Sequence, residues 1–298
     1  MTVRPFFIVN PEANNGRALP HWEAVRVHLD SRGMEYDFAF SRDADDVERL
    51  AKEAAQSKGT LVVGVGGDGT LSRIASALVG SGAVLGVIPA GTGNDFARSF
   101  GIPLERAAAC EVLLNGEDVP LDLGRYNGRF FLNVTGAGLD AAVVADANRL
   151  KRFLGSLAYL AALVRQLATY RPCLLQITLD GQQIKEEAWL VSVANGRYYG
   201  SGMQVAPQAD TGDGLADVIV VGRMPRLKFL YMFPKVYSGR HVLLPSVRVY
   251  RAKTVCVEGV RALPVHTDGD LTGHLPFCVT MERHAILLRV PPKNFGTQ

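Results

Sequence analysis

The sequence predicts an α/β protein of two domains, an N-terminal domain on a parallel sheet and a C-terminal, mainly antiparallel β-sandwich. Three observations carry that expectation. Strand-like apolar runs alternate with helical periodicity through the first third, and two glycine-rich turns there leave strands and open helices. Beyond Leu121-Asp122-Leu123-Gly124 the pattern changes to short strands separated by turn residues.

Phe6 to Val9 reads as a strand, followed by a helix with Trp22, Val25 and Leu29 on one face. A strand from Glu35 to Phe40 precedes a helix carrying Val47, Leu50, Ala51 and Ala54. Thr60 to Val65 is the next strand, and Leu71, Ile74, Ala75 and Leu78 then recur at helical spacing. The strand from Ala83 to Ile88 leads to the second glycine turn. Such alternation implies parallel strands with helices on both faces, and ligands bind beyond the carboxyl ends of those strands. In the second domain strands are expected at Phe130 to Thr135, Leu174 to Leu179, Trp189 to Ala194, Ala216 to Val221, Val247 to Tyr250 and Thr254 to Val257. Asp180-Gly181 is a hairpin turn, and helices are expected near Asp140 to Tyr170 and Arg226 to Tyr237.

The chain of 298 residues is 48% hydrophobic, enough for real cores. Thirty-two Lys and Arg against 29 Asp and Glu leave a net +3, too mild for a nucleic-acid partner, and no nucleic-acid signature appears. Cys110, Cys173, Cys256 and Cys278 are far apart, so neither a zinc site nor a disulfide framework is expected. A reducing cytoplasm is the simplest compartment. The start runs directly into a strand without the features of a signal peptide, and Phe153 to Tyr170 is interrupted by Arg165 and Gln166, too short and polar to span a bilayer.

Free N–H groups at a strand-to-helix turn and the helix N-terminus behind them favour an anion. Gly64, Gly66 and Gly69 fit G-x-G-x-x-G, but no acidic residue ends the next strand, where Pro89-Ala90 stands instead. A Walker A loop fails because Thr70 follows Gly69 with no lysine between them. Asp68 is a carboxylate inside a phosphate cradle, which makes sense with a cation between them; the simpler alternative is a cap on the following helix. Gly91-Thr92-Gly93 allows close approach to a phosphate, with Asn94 and Asp95 starting a helix, or is an ordinary capped turn.

Asp210-Thr211-Gly212-Asp213-Gly214-Leu215 suits either a tight loop or a hard cation. Thr267-Asp268-Gly269-Asp270 presents two carboxylates on a turn, either a surface turn or the site of a base that accepts a hydroxyl proton. His266 is read as solvated or hydrogen-bonded rather than catalytic. Arg223, Arg226, Lys228, Lys235 and Arg240 surround Phe229, Leu230, Tyr231, Phe233 and Tyr237, a mixture compatible with anionic headgroups, although a helix packed on the sandwich is simpler. Phe153, Leu157, Leu160, Val164 and Leu167, with Lys151 and Arg152 at the start, form a stripe read as core.

The segments Gly66-Gly67-Asp68-Gly69-Thr70-Leu71 and Pro89-Ala90-Gly91-Thr92-Gly93-Asn94-Asp95-Phe96-Ala97-Arg98 together resemble the diacylglycerol kinase and sphingosine kinase family, particularly its soluble, bacterial YegS-like members. The resemblance implies an N-terminal domain like those of NAD kinase and phosphofructokinase, residues 1–124, and a lipid- and metal-binding domain, residues 125–298, whose last dozen or so residues return to the first. It implies an ATP-dependent lipid kinase. Nucleotide contacts fall to Asn10, Ser41, Gly66, Gly67, Asp68, Gly69, Thr70, Leu71, Ser72, Gly91, Thr92 and Asn94. Asp270 is the implied base, one methylene shorter than the family's glutamate, with Asp268 orienting it or assisting the metal. Asp68 and Asp122 are the implied ligands of a catalytic magnesium ion. A structural magnesium falls to Asp213 through its carboxylate and to Asp210 and Leu215 through carbonyls. Asn133 is expected to tie the domains together. Asn14-Asn15-Gly16-Arg17 departs from the usual serine-glycine-lysine loop, with Arg17 able to supply the phosphate contact. Expected partners are ATP, a diacylglycerol, phosphatidylglycerol or sphingoid lipid met peripherally at the inner membrane face, and a second copy in a homodimer. The alternatives are an NAD kinase, which shares G-G-D-G-T but has an Asn-Glu pair, and a silent nucleotide-gated lipid-binding protein.

Overall fold

The computed structural model describes residues 4–56, 59–154 and 158–292. The first domain runs β1 (Phe6–Val9), α1 (Ala18–Ser31), β2 (Asp37–Phe40), α2 (Ala44–Ala54), β3 (Leu61–Gly66), α3 (Asp68–Leu78), β4 (Val84–Pro89), α4 (Asp95–Ser99) and α5 (Arg106–Asn115). Its strands lie parallel in the order β4-β3-β1-β2. Side chains alternate across the sheet. Phe7 and Val9 therefore pack with Trp22, Val25 and Leu29 on one face, while Ile8 packs with Val47 and Leu50 on the other. β3 and β4 are buried along their whole length, which their continuous apolar sequence anticipates.

The remainder runs β5 (Glu117–Tyr126), β6 (Arg129–Phe131), β7 (Val134–Gly138), α6 (Leu139–Leu154), α7 (Ala158–Thr169), β8 (Cys173–Leu179), β9 (Gln182–Ala194), β10 (Ala216–Gly222) and α8 (Arg226–Met232). Two 3₁₀ turns, Phe233–Ser238 and Arg240–Leu243, lead to β11 (Val247–Ala252), β12 (Thr254–Gly259), β13 (Pro264–Thr267), β14 (Asp270–His274) and β15 (Phe277–Val290). The β8–β9 hairpin turns at Asp180 and Gly181, both with positive φ, so the Asp-Gly signal does what its chemistry predicts.

β15 joins the two domains. Phe277 to Thr280 pair with β12, the strand runs antiparallel to β5, and Leu287 and Leu288 pair parallel with β4. The sheet therefore continues from one domain into the other.

Three expectations need correction. The strand expected from Phe130 to Thr135 is divided into β6 and β7, because the N–H groups of Leu132, Asn133 and Val134 turn to the Asp268 carboxylate. Cys256 and Cys278, expected to be free, form a disulfide; they stand opposite each other on β12 and β15, their Cα atoms 4.1 Å apart. Sequence separation hid a pairing that strand register creates. In the helical stripe Leu167 is buried but Val164 is 56% exposed; Phe153, Leu157 and Leu160, with Lys151 and Arg152, lie outside the residues whose side chains are described. Among the described residues no helix is long and apolar enough to cross a membrane.

Candidate active site

A cleft of about 630 Å³ opens between the domains at the carboxyl ends of β3 and β4. Its floor is Gly67, Asp68, Gly69 and Thr70 at the start of α3 and Gly91, Thr92 and Gly93 before α4. Gly67 caps α3 without a side chain, the arrangement that leaves first-turn N–H groups for an anion. The two turns touch through their backbones: a Cβ on Gly91 would lie 2.5 Å from the Gly67 Cα, and one on Gly67 3.2 Å from the Gly91 Cα. Glycine at both positions is what lets the two loops share one floor.

Asp68 opens α3, but its carboxylate reaches the other loop, accepting the Asp95 N–H at 3.1 Å and the Phe96 N–H at 2.8 Å. It thus caps α4 rather than the helix it begins. Asp95 accepts the N–H groups of Ser201 and Gly202, which brings a second-domain loop to the cleft. Burial pushes the Asp95 carboxyl above the usual range, the two N–H groups work against this, and the Asp68 charge adds to it. The two carboxylates converge: a methyl group on Gly93 would lie 3.3 Å from Asp95 Oδ2 and 3.4 Å from Asp68 Oδ2. Asp95 was named in sequence only as a helix-starting residue, because an aspartate before a helix ordinarily signals a cap.

The opposite wall comes from the β13–β14 turn. Asp268 and Gly269 both have positive φ, a two-residue Asp-Gly turn with Thr267 paired to Asp270. The Asp268 carboxylate accepts four hydrogen bonds, from the N–H groups of Leu132, Asn133 and Val134 and from the Ser72 hydroxyl. Burial pushes its pKa up and these donors work against it. Asp268 therefore fixes the turn, leaving the exposed Asp270 free to line the cleft. Beyond it, Asp270, Arg73 and Gly69 also line a neighbouring groove of about 870 Å³.

Asn10 lines the cleft and donates to the Thr70 hydroxyl at 2.9 Å. Asn14, Arg42 and Asp43 line the same side, whereas Arg17 is exposed at the start of α1 and takes no part in the lining. Asn133 lines the cleft too, and its carbonyl accepts the Asn195 and Gly196 N–H groups.

Several expected contacts fall elsewhere. The Ser41 hydroxyl is buried and donates to the Val9 carbonyl; its neighbour Arg42 faces the cleft instead. Leu71 is in the core, since α3 turns that position away from its exposed first residues. Ser72 lines the neighbouring groove while holding Asp268. Gly66 makes room for the Thr70 side chain, which an added Cβ would meet at 2.7 Å. Asn94 locks its own loop by bonding Gly91 in both directions, from a left-handed backbone.

Asp122 does not join Asp68. Wholly buried on β5, it accepts the Gly214 N–H at 2.6 Å and the His284 N–H at 2.7 Å, pinning the loop before β10 to the irregularity in β15. Of the donors expected for a structural magnesium, the one carboxylate, Asp213, has partners within the protein. Asp213 accepts the Leu215 N–H and is ion-paired to Arg251, and Asp210 accepts the Gly212 N–H. The Arg251 guanidinium supplies the positive charge at the Asp213 carboxylate. Among the described residues no three His, Cys, Asp or Glu side chains converge as a metal centre.

Behind the cleft lies a narrow apolar cavity of about 70 Å³ beneath α6, α7 and α8, lined by Val143, Leu163, Ile219, Phe229 and Met232 among others. Tyr199 lines both spaces. Its ring stacks on His266 at 4.8 Å, and His266 Nε2 lies 3.1 Å from Asp140 Oδ2. His266 is thus buried and hydrogen-bonded, a wall support between the polar cleft and the apolar cavity.

Comparison with known proteins bears on the whole of this architecture. Residues 4–126 match the diacylglycerol kinase catalytic domain, and residues 133–290 match the YegS C-terminal NAD kinase beta sandwich-like domain. The chain is 37% identical to a diacylglycerol kinase of Mycobacterium tuberculosis over 90% of its own length and 89% of that protein's. A probable lipid kinase YegS-like of Pseudomonas aeruginosa is 36% identical, covering 88% and 90%. Among solved structures, a putative diacylglycerol kinase from Bacillus anthracis superposes with a TM-score of 0.80 at 27% identity, covering 97% of this chain and 98% of that one. Yeast NADH kinase shares the fold, with a TM-score of 0.53 at 12% identity. With both halves of the chain matched in order, the chain belongs to the diacylglycerol kinase family of lipid kinases.

Proposed function

We propose that the protein transfers the γ-phosphoryl group of ATP to the hydroxyl of a diacylglycerol-type lipid. The observation that carries this reading is the glycine-floored polar cleft at the carboxyl ends of β3 and β4, suited to a phosphate donor, with a small apolar-lined cavity beside it at Tyr199. The first turn of α3 and the Gly91-Thr92-Gly93 loop hold the triphosphate; Asn10, Asn14, Arg42 and Asp43 line the side left for the nucleoside.

Magnesium is commonly held by one or two carboxylates together with substrate phosphates. The convergence of Asp68 and Asp95 fits that demand, and the positive charge of the ion would relieve the burial of Asp95. When bound, such an ion neutralises phosphate charge. Asp270 accepts the proton of the lipid hydroxyl, and Asp268 holds the turn that presents it. Catalysis is then mainly positioning and charge neutralisation.

Replacement Asp270→Asn keeps the turn and removes the base. Turnover with dispersed diacylglycerol is expected to fall roughly a hundredfold or more, with the Kd for ATP little changed. Undiminished turnover would take Asp270 out of the mechanism.

A further inference from the structure

From Val218 to Val257 the sequence carries eight Lys and Arg and no Asp or Glu, in a chain whose net charge is only +3. That acid-free stretch contains α8 and both 3₁₀ turns, the elements that cover the apolar cavity. Its side chains divide into two sets. Phe229, Met232, Phe233 and Val236 line the cavity. Leu227, Tyr231 and Leu243 stand in solvent, 80%, 70% and 78% exposed, accompanied by Leu230 and Tyr237. Large exposed apolar side chains in such a cluster, rimmed by charge, mark an interaction surface rather than ordinary surface scatter.

The cations also divide. Arg226 donates to the carbonyls of Leu167 and Tyr170 and fastens α8 to the end of α7, and Arg223 pairs with Glu187; both serve the fold. Lys228, Lys235 and Arg240 alternate in sequence with the exposed apolar groups, with Lys235 Nζ 4.2 Å from the Tyr231 ring centre. Aromatic and aliphatic side chains interleaved with cations are the composition that binds an anionic interface, where apolar groups enter the acyl boundary and cations meet headgroups.

Resting on the lipid-kinase reading, we infer that the exposed face of residues 226–243, the segment whose inner side chains line the small apolar cavity beside the cleft, docks on a bilayer rich in anionic phospholipid. A second copy of the chain is disfavoured as the occupant, because two such faces would oppose cation to cation.

The test uses the full chain and vesicles of phosphatidylcholine with or without phosphatidylglycerol, scored by flotation. Wild type is expected to bind the anionic vesicles and to be released as salt rises from about 0.05 to 0.5 M. The triple replacements Leu227→Gln/Tyr231→Gln/Leu243→Gln and Lys228→Gln/Lys235→Gln/Arg240→Gln should each weaken binding at least tenfold while retaining the wild-type Tm. Both should phosphorylate a monomeric short-chain diacylglycerol at the wild-type rate and lose turnover only on vesicle-borne substrate. Wild-type vesicle binding by either variant, or equal binding of wild type to neutral vesicles, overturns the proposal. Failure of wild type to phosphorylate the monomeric substrate, with the vesicle results as expected, overturns the kinase reading and leaves the docking surface standing.

Discussion

Arg42 owes its place in the cleft to Asp46. The Asp46 carboxylate accepts the Arg42 backbone N–H and its Nε and Nη2, and the Arg49 guanidinium as well. Hydrogen bonding from Arg42, then from Arg49, holds its pKa far below the ordinary value of 3.8. The folded state therefore favours the ionised form, so the Asp46 contribution to stability is fully present above about pH 4 and is lost as pH falls below it. Asp46→Asn should remove that part of the acid dependence, measured as a smaller loss of urea midpoint between pH 5 and pH 3. The same variant is expected to raise the KM for ATP severalfold with kcat nearly unchanged, since Arg42 would be left unoriented. Sequence motifs located the cleft because glycine turns are local features, legible without a third dimension. They did not show which side chains face it: Leu71 and Ser41 share a motif or a strand end with true lining residues and point into the core. Asp95 was obscured for the opposite reason, since a capping aspartate and a cleft aspartate look alike in sequence.

The glycine loops act as a pair of elements. Gly91→Ala would drive a Cβ to 2.5 Å from the Gly67 Cα, and backbone cannot swing away as a side chain can. Overpacking of this kind costs about 1–3 kcal/mol, and the displaced loops should also raise the Kd for ATP at least tenfold. For stability alone Gly69→Ala is the control, because a Cβ there meets nothing within 4 Å; calorimetry on both variants would show the overpacking cost at Gly91 only. At this scale the alternating strands and helices of the first domain were readable, as was the Asp180-Gly181 turn. The β13–β14 hairpin uses the same dipeptide at Asp268-Gly269, where the sequence shows the turn but not the short strands on either side of it. β5 was hidden by its polar opening and by Pro120, which sits where pairing with β15 supplies the context that local propensity lacks.

Across the whole molecule, Asp268 links parts far apart in sequence: Ser72 on α3, the Leu132 to Val134 junction, and its own hairpin. Asp268→Ala would leave three backbone N–H groups and a hydroxyl without that acceptor. A loss of about 2–4 kcal/mol is expected in urea titration, together with reduced kcat because the Asp270 turn loses its anchor. Unchanged stability would show that water replaces the carboxylate without cost. No sequence pattern reveals such a link, since its members are brought together only by folding.

β15 has a consequence for how the protein is made. Ile286 and Leu288 belong to the core of the first domain, and Leu287 and Leu288 complete the edge of β4. A ribosome must therefore reach residue 288 before the domain built on β1 to β4 can close. Until then the β4 edge stands open, a site for intermolecular strand pairing. The order of synthesis and the order of completion differ: β15, made about two hundred residues after β4, seals the sheet that β4 belongs to.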